Sequence, residues 1–191
     1  MLTERFTQAL TYTHQLHATQ IRKGSGVPYI SHLLGVASIA LEYGANEEEA
    51  IAALLHDAIE DQGGVAIRAE IRHRFGDNVT AIVDGCTDAD TNPKPPWKER
   101  KEKYLAHIPT ASPSVLLVSC ADKIYNARSI LKDYRLMGDA VWERFKAGKE
   151  GTLWYYRALV DAFKKTYKNT KIIPLVEELE RVVIELETLV K

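Results

Sequence analysis

Cysteine is almost missing. Cys86 and Cys120 are the only two in 191 residues. They could close at most one disulfide and fit no spaced zinc motif, so a disulfide scaffold is excluded. Both read as small core residues, and a reducing cytoplasm is the expected compartment. No apolar run reaches the roughly 20 residues of a membrane helix. The start, Met1-Leu2-Thr3-Glu4-Arg5, has neither the basic nor the apolar region of a signal peptide. An excess of one charge is missing too. Lys and Arg total 25 against 26 Asp and Glu, a formal net charge of -1. That balance gives no global attraction to nucleic acid or anionic membrane, and neither is expected as a partner. A polyanion site would have to be built locally. There is no internal repeat, no low-complexity tract and no convincing strand pair. What remains is ordinary soluble material, 46% hydrophobic and 27% charged, long enough for one good-sized core.

Helical spacing organises nearly all of it. A first helix is predicted from Leu2 to about Arg22. The glycines and proline of Arg22-Lys23-Gly24-Ser25-Gly26-Val27-Pro28-Tyr29 make a loop. Ser31 is placed to cap the next helix, with His32 in its first turn and Gly44 just past its end. Asn46 with Glu49 forms a capping box for a helix running through His56-Asp57 to Gly63-Gly64. A helix from Val65 to Phe75 is followed by Gly76 and a second cap at Asp77 for the helix through Val83. Thr87 to Pro96 is a loop and Trp97 to Tyr104 a charged helix. Ser112-Pro113 opens a buried helix reaching Leu136. Further helices are expected at about Asp139–Phe145, Thr152–Tyr167 and Pro174–Val190. The last carries a stripe of Leu175, Leu179, Val182, Val183, Leu186 and Val190, read as core packing, with homodimerisation the minority option. The fold class is all-α, one domain over 1–191.

The chemistry concentrates in Ala53-Leu54-Leu55-His56-Asp57-Ala58-Ile59-Glu60-Asp61. Positions four apart share a helix face, so His56 should sit above Glu60 and Asp57 above Asp61. One pair can reach a cation and the other can hold a water on it. A solvated acidic helix end is the plain alternative. It fits poorly with the apolar run Ala50–Leu55 before it and with acidic groups at a negative helix end. His32 and Asp122 join the set. Asp122 lies in a run otherwise too apolar for a charge. Singly, His32 reads as a capping or surface residue and Asp122 as a partner of Lys123 or Arg128. Together, His32, His56, Asp57 and Asp122 offer two nitrogens and two oxygens, suited to Mn²⁺, Fe²⁺, Zn²⁺ or Ni²⁺ with positions left for water and substrate.

These residues follow the H…HD…D pattern, and the sequence resembles the HD-domain phosphohydrolases. The resemblance is closer to one branch, the hydrolase domains of the RelA/SpoT type and the free-standing small alarmone hydrolases. The resemblance is carried by Arg22-Lys23, Pro28-Tyr29-Ile30-Ser31-His32, Leu54-Leu55-His56-Asp57, Glu60-Asp61, Phe75-Gly76 and Ala121-Asp122-Lys123-Ile124-Tyr125-Asn126. It covers roughly Leu2 to Leu131. It implies an HD-type helical bundle, with the motif-bearing core at about 2–131 and C-terminal helices at about 139–190. It also implies a divalent metal, most often Mn²⁺, and removal of the 3′-pyrophosphate from guanosine 3′,5′-bispyrophosphate or its triphosphate analogue. The partner would be a purine nucleotide alarmone, with guanine or adenine left open. Glu60 and Asp61 would orient or deprotonate the water. Arg22 and Lys23 resemble the family's base-contacting pair, and Asn126 its asparagine at the ribose and 3′-phosphate. Ser129 falls where relatives carry another polar residue. Lys98, Arg100 and Lys101 are candidates to meet the 5′-phosphates, with a charged surface helix the plainer account of at least one. The length leaves no room for synthetase or regulatory domains, so a stand-alone hydrolase is expected. Two other readings stay open. One is a broader HD phosphohydrolase acting on other nucleotides, such as a 2′-phosphorylated dinucleotide. The other is a nucleotide sensor without turnover, which the intact Glu60-Asp61 pair argues against.

Overall fold

Local signals fix most helix ends. In the computed structural model, which describes residues 1–88, 93, 95–166 and 172–191, the order is α1 (Glu4–Leu16), α2 (Ile30–Glu42), α3 (Glu47–Leu55), α4 (Ala58–Gln62), α5 (Val65–Cys86), α6 (Trp97–His107), a 3₁₀ turn (Ile108–Thr110), α7 (Pro113–Met137), a 3₁₀ segment (Gly138–Arg144), α8 (Gly148–Lys164) and α9 (Ile173–Leu189). Asn46 and Glu49 exchange the reciprocal bonds of a capping box at α3. Such a cap contributes about 1 kcal/mol. The Ser112 side chain accepts from the Val115 amide, with Pro113 in the first turn of α7. The fold is all-α, as predicted. Ile21 and Pro28 make an isolated antiparallel bridge.

α7 is the central element. From Val115 to Asp122 every residue is buried, because α2, α3, α5, α8 and α9 all pack on it. Two glycines permit close approach. A Cβ at Gly35 of α2 would lie 2.0 Å from the Tyr125 ring, and one at Gly85 of α5 would lie 2.5 Å from Val115. The predicted stripe of α9 is spent inside this chain, with Leu175, Leu179, Val182, Val183 and Leu186 all buried. Cys120 is buried and Cys86 half-buried, and both are free thiols. Tyr155 and Tyr156 are core residues of α8, and Arg157 pairs with Glu187. Among the described residues no helix is long and apolar enough to cross a membrane.

Several boundaries differ from the sequence reading. α1 stops at Leu16, about six residues early, because His17 turns inward and Gln20 is drawn into the hairpin by accepting the Tyr29 amide. α2 starts at Ile30 with Tyr29 as its cap, so Ser31 lies inside the helix and caps nothing. The helix through His56-Asp57 is interrupted: α3 ends at Leu55 and α4 begins at Ala58. Gly76, at φ +87°, kinks α5 and takes the cap position expected of Asp77, whose carboxylate instead meets Arg72. The segment at 138–144 is 3₁₀ rather than α. Thr87, Asp88, Pro95 and Pro96 are non-helical, as expected of the predicted loop. Part of that loop, and Tyr167 at the predicted end of α8, lie outside the described residues.

Candidate active site

Four predicted residues converge where α2, the α3–α4 turn and α7 meet. His32 comes from the first turn of α2, His56 and Asp57 from the turn, and Asp122 from the buried middle of α7. His32 Nε2 stands 3.2 Å from His56 Nε2, 3.3 Å from Asp57 Oδ2 and 3.3 Å from Asp122 Oδ1. His56 Nε2 lies 3.1 Å from Asp57 Oδ2 and 3.6 Å from Asp122 Oδ1. His32, His56 and Asp57 offer ligand atoms all within 4.8 Å of one another, and Asp122 joins through the two imidazoles.

These spacings suit one divalent ion. Ligands on bonds of about 2.1 Å stand roughly 3.0 to 3.4 Å apart in octahedral or tetrahedral arrangement. The tautomer fits as well. His56 Nδ1 lies 2.8 Å from the Ala53 carbonyl, which can only accept, so Nδ1 carries the hydrogen and Nε2 is left for the cluster. Two imidazole nitrogens this close need a positive centre, proton or metal, between them. Without metal the proton serves. Burial works against charge on His56, but Asp57 and Asp122 outweigh it and raise its pKa well above the usual imidazole value. Burial pushes Asp57 upward, yet His56 and the imidazole hydrogen bonds hold it well below the carboxylate range. Asp122 is lowered likewise against its burial, with Lys123 the largest favourable cause. Lys123 Nζ donates to Asp122 Oδ2 at 2.6 Å. A buried carboxylate shared in this way avoids the cost of a lone charge.

Supporting contacts hold the ligands in place. The Tyr29 hydroxyl donates to Asp57 Oδ2 at 2.7 Å, and burial pushes its own pKa up. Asn126, one turn along α7, donates to Asp122 Oδ1 and accepts from Arg22 at 2.8 Å. The Tyr125 ring lies 4.9 Å from His32, over Gly35.

Glu60 and Asp61 lie beside the cluster on α4. Asp61 keeps its helical bond to the Asp57 carbonyl, so the expected one-turn relation survives the break. Its carboxylate is exposed and accepts from Gln20 at 2.9 Å. Glu60 accepts from the Asp88 amide at 3.4 Å. Arg22 is half-buried, its guanidinium 5.7 Å from the Tyr29 ring and 5.8 Å from that of Tyr125. Lys23 is exposed in the hairpin next to it. Ser129 is half-buried one turn beyond Asn126. On α6, Arg100 and Lys101 both pair with Asp88. Lys98 is turned away, its ammonium 3.7 Å over the Trp154 ring and near Glu102.

Sequence reasoning gave no role to His17, Gln20, Gln62 or Asp88. The first two fall in the part of the predicted first helix that lies beyond the end of α1 at Leu16, where the turn has no strong signal. Asp88 sat in a stretch read only as loop. Tyr29 lies within a motif segment with no task expected of it, whereas the pairing of Lys123 with Asp122 is one the sequence offers.

The fold and site define a helical domain that cups a histidine–carboxylate cluster fit for a divalent metal. The chain belongs to the HD-domain family, whose model, described as "HD domain", matches residues 9–153. It is 34% identical over 173 residues to a human guanosine-3′,5′-bis(diphosphate) 3′-pyrophosphohydrolase, MESH1, covering 85% of this chain and 92% of that one. The Xenopus tropicalis protein of the same name is 40% identical over 126 residues, 64% of this chain and 68% of that one. Among solved structures, a metazoan SpoT ortholog described as hydrolysing ppGpp shares the fold, with TM-score 0.77, 22% identity and 97% of each chain covered. A Listeria monocytogenes protein matches with TM-score 0.73 and 32% identity over 81% of this chain and 97% of that one.

Proposed function

We propose that this protein is a metal-dependent hydrolase that removes the 3′-pyrophosphate of guanosine 3′,5′-bis(diphosphate) and related purine nucleotides, in the cytoplasm and with Mn²⁺ as its metal. The observation that carries the reading is the convergence of His32, His56, Asp57 and Asp122, with Glu60-Asp61 following within one helical turn. It occurs in a chain spanning 92% of a relative named for that activity. The two free thiols fit a reducing compartment.

His32, His56, Asp57 and Asp122 would hold the ion, which supplies polarisation of a phosphate oxygen and a lowered pKa for water. Glu60 and Asp61 take the proton of the attacking water. Arg22, lying near two tyrosine rings, offers a flat cation for a purine face or edge, and Lys23 stands next to it in the hairpin. Asn126 hydrogen-bonds both Arg22 and Asp122, which supports its meeting the ribose between the base and the scissile bond. Ser129 extends that face of α7. Arg100, with Lys101, is the better-placed cation for the 5′-phosphates, because Asp88 ties both to the element that meets Glu60. Lys98 would have to leave Trp154 to help.

Attack at the phosphorus next to the ribose 3′-oxygen leaves the two terminal phosphates joined. The test is a product assay with guanosine and adenosine 3′,5′-bispyrophosphates plus Mn²⁺. Pyrophosphate and a nucleoside 5′-diphosphate should appear in equal amounts. Orthophosphate as the first product, or no turnover of either substrate, overturns the assignment.

A further inference from the structure

One buried polar group takes no part in the chemistry above. His17, the residue that ends α1, is 2% exposed. Its Nδ1 lies 2.6 Å from Gln20 Oε1, and the Gln62 amide donates to the same oxygen at 2.5 Å. Gln20 Nε2 in turn donates to Asp61 Oδ2 at 2.9 Å. The His17 ring stacks on Tyr29, with centroids 5.5 Å apart and planes 13° from parallel, and Tyr29 is the donor to Asp57.

Chemistry fixes the direction of this chain. An ionised Asp61 only accepts, so Gln20 must face it with its NH₂ group. The Gln20 oxygen then faces His17, which must carry its hydrogen on Nδ1. Burial, the largest influence on His17, holds it below the ordinary imidazole value, in keeping with a neutral ring. One amide therefore joins two stretches remote in sequence: the end of α1 at His17 and the end of α4 at Asp61 and Gln62. Asp61 is exposed on a five-residue helix, where a free carboxylate would sample several rotamers.

We propose that Gln20, fixed in place by His17 and Gln62, is a positioning residue that holds Asp61 in the rotamer needed to receive the water's proton. This rests on the reading of Asp61 as a proton acceptor. Misplacing a reacting group by about 1 Å can cost on the order of a hundredfold in rate, so a small aiming contact is enough to matter.

The experiment is a double-mutant cycle on the Mn²⁺-loaded protein with guanosine 3′,5′-bispyrophosphate, comparing Gln20→Met, Asp61→Asn and the pair. Gln20→Met should lower kcat by about tenfold to a hundredfold while KM and Mn²⁺ affinity stay within about twofold. In the Asp61→Asn background it should cost nothing further, because its target is already gone. Gln20→Glu keeps the shape and guards against a folding defect. It cannot donate to Asp61, and its kcat should fall at least as far. Wild-type kcat in Gln20→Met beside an impaired Asp61→Asn overturns this proposal and leaves the proposed function standing. Losses that simply multiply in the double variant place Gln20's effect elsewhere and also overturn it. A wild-type rate in Asp61→Asn removes the role of Asp61 itself, and this inference with it.

Discussion

Tyr29 and Asp57 are joined through the one oxygen that the cluster uses. The phenol donates to Oδ2 at 2.7 Å, and the same atom stands 3.1 Å from His56 Nε2. Tyr29 thus sets where that oxygen points. Outer partners of metal ligands typically matter by about 10- to 100-fold in metal affinity or activity. Tyr29→Phe should weaken Mn²⁺ binding on that scale with helix content unchanged. Calorimetric titration giving the wild-type affinity would reject the role.

Metal and proton compete for one place. The folded pKa of His56 is raised, so its contribution to metal-free stability is full below its unfolded value, about 6.5. That contribution is lost as pH climbs through the folded value. The stability gap between chelator-treated wild type and His56→Gln should therefore narrow as pH rises above about 6.5. Mn²⁺ binding should release protons and tighten as pH rises over the same interval. Denaturant melts at stepped pH and a weakly buffered titration read both. A gap that widens with pH contradicts the proton-filled cluster.

Glu60→Gln and Asp61→Asn keep shape and remove charge. Each should lower kcat by roughly two to four orders of magnitude and leave Mn²⁺ bound, since neither is a ligand. His56→Ala and Asp57→Ala should lose the metal. Metal analysis beside turnover separates the two groups, and equal metal loss in both sets would merge them.

Arg22→Ala should raise KM for purine substrates more than it lowers kcat, if its contact is equally strong before and at the transition state. The same change deprives Asn126 of a partner, so a modest fall in kcat should accompany it. Steady-state kinetics with guanine and adenine substrates, both giving an unchanged KM, would return Arg22 to a purely structural part.

Gly35 is set under Tyr125, with a would-be Cβ 2.0 Å from the ring. Gly35→Ala should cost about 1–3 kcal/mol through overpacking and push Tyr125 against His32. Denaturant unfolding should show the loss, and Gly35→Ala with Tyr125→Ala should recover part of it.

The helices were legible because caps and apolar spacing act locally. Asn46 with Glu49, Ser112 with Pro113, and Gly44 each declare an end within a few residues. The convergence of the histidine–carboxylate cluster was legible for another reason. A carboxylate at Asp122, inside a run as apolar as Val115–Ala121, has few explanations other than a shared buried charge. What stayed hidden depends on contacts far apart in the chain. The inward turn at His17 is decided by Gln20, Gln62 and Tyr29 together. The break at His56-Asp57 is a two-residue interruption in an otherwise continuous pattern, and its backbone angles remain near-helical. Lys98 looked like its neighbours Arg100 and Lys101, and only packing against Trp154 separates it from them.

The cluster is not equally open on all sides. Side-chain exposure is 1% for His32, 3% for His56 and 10% for Asp122, but 23% for Asp57. If the cluster holds a metal as proposed, Asp57 is the residue through which an ion would most readily enter and leave. His32 and Asp122 sit on helices packed into the core and His56 in the buried α3–α4 turn, so exposing them requires partial unfolding and is correspondingly rare. Metal exchange would then be a local event timed by the release of Asp57 Oδ2, the oxygen held by Tyr29. All four residues would then contribute to the affinity of the proposed centre, while the speed at which it fills or empties would depend most on the Asp57–Tyr29 pair.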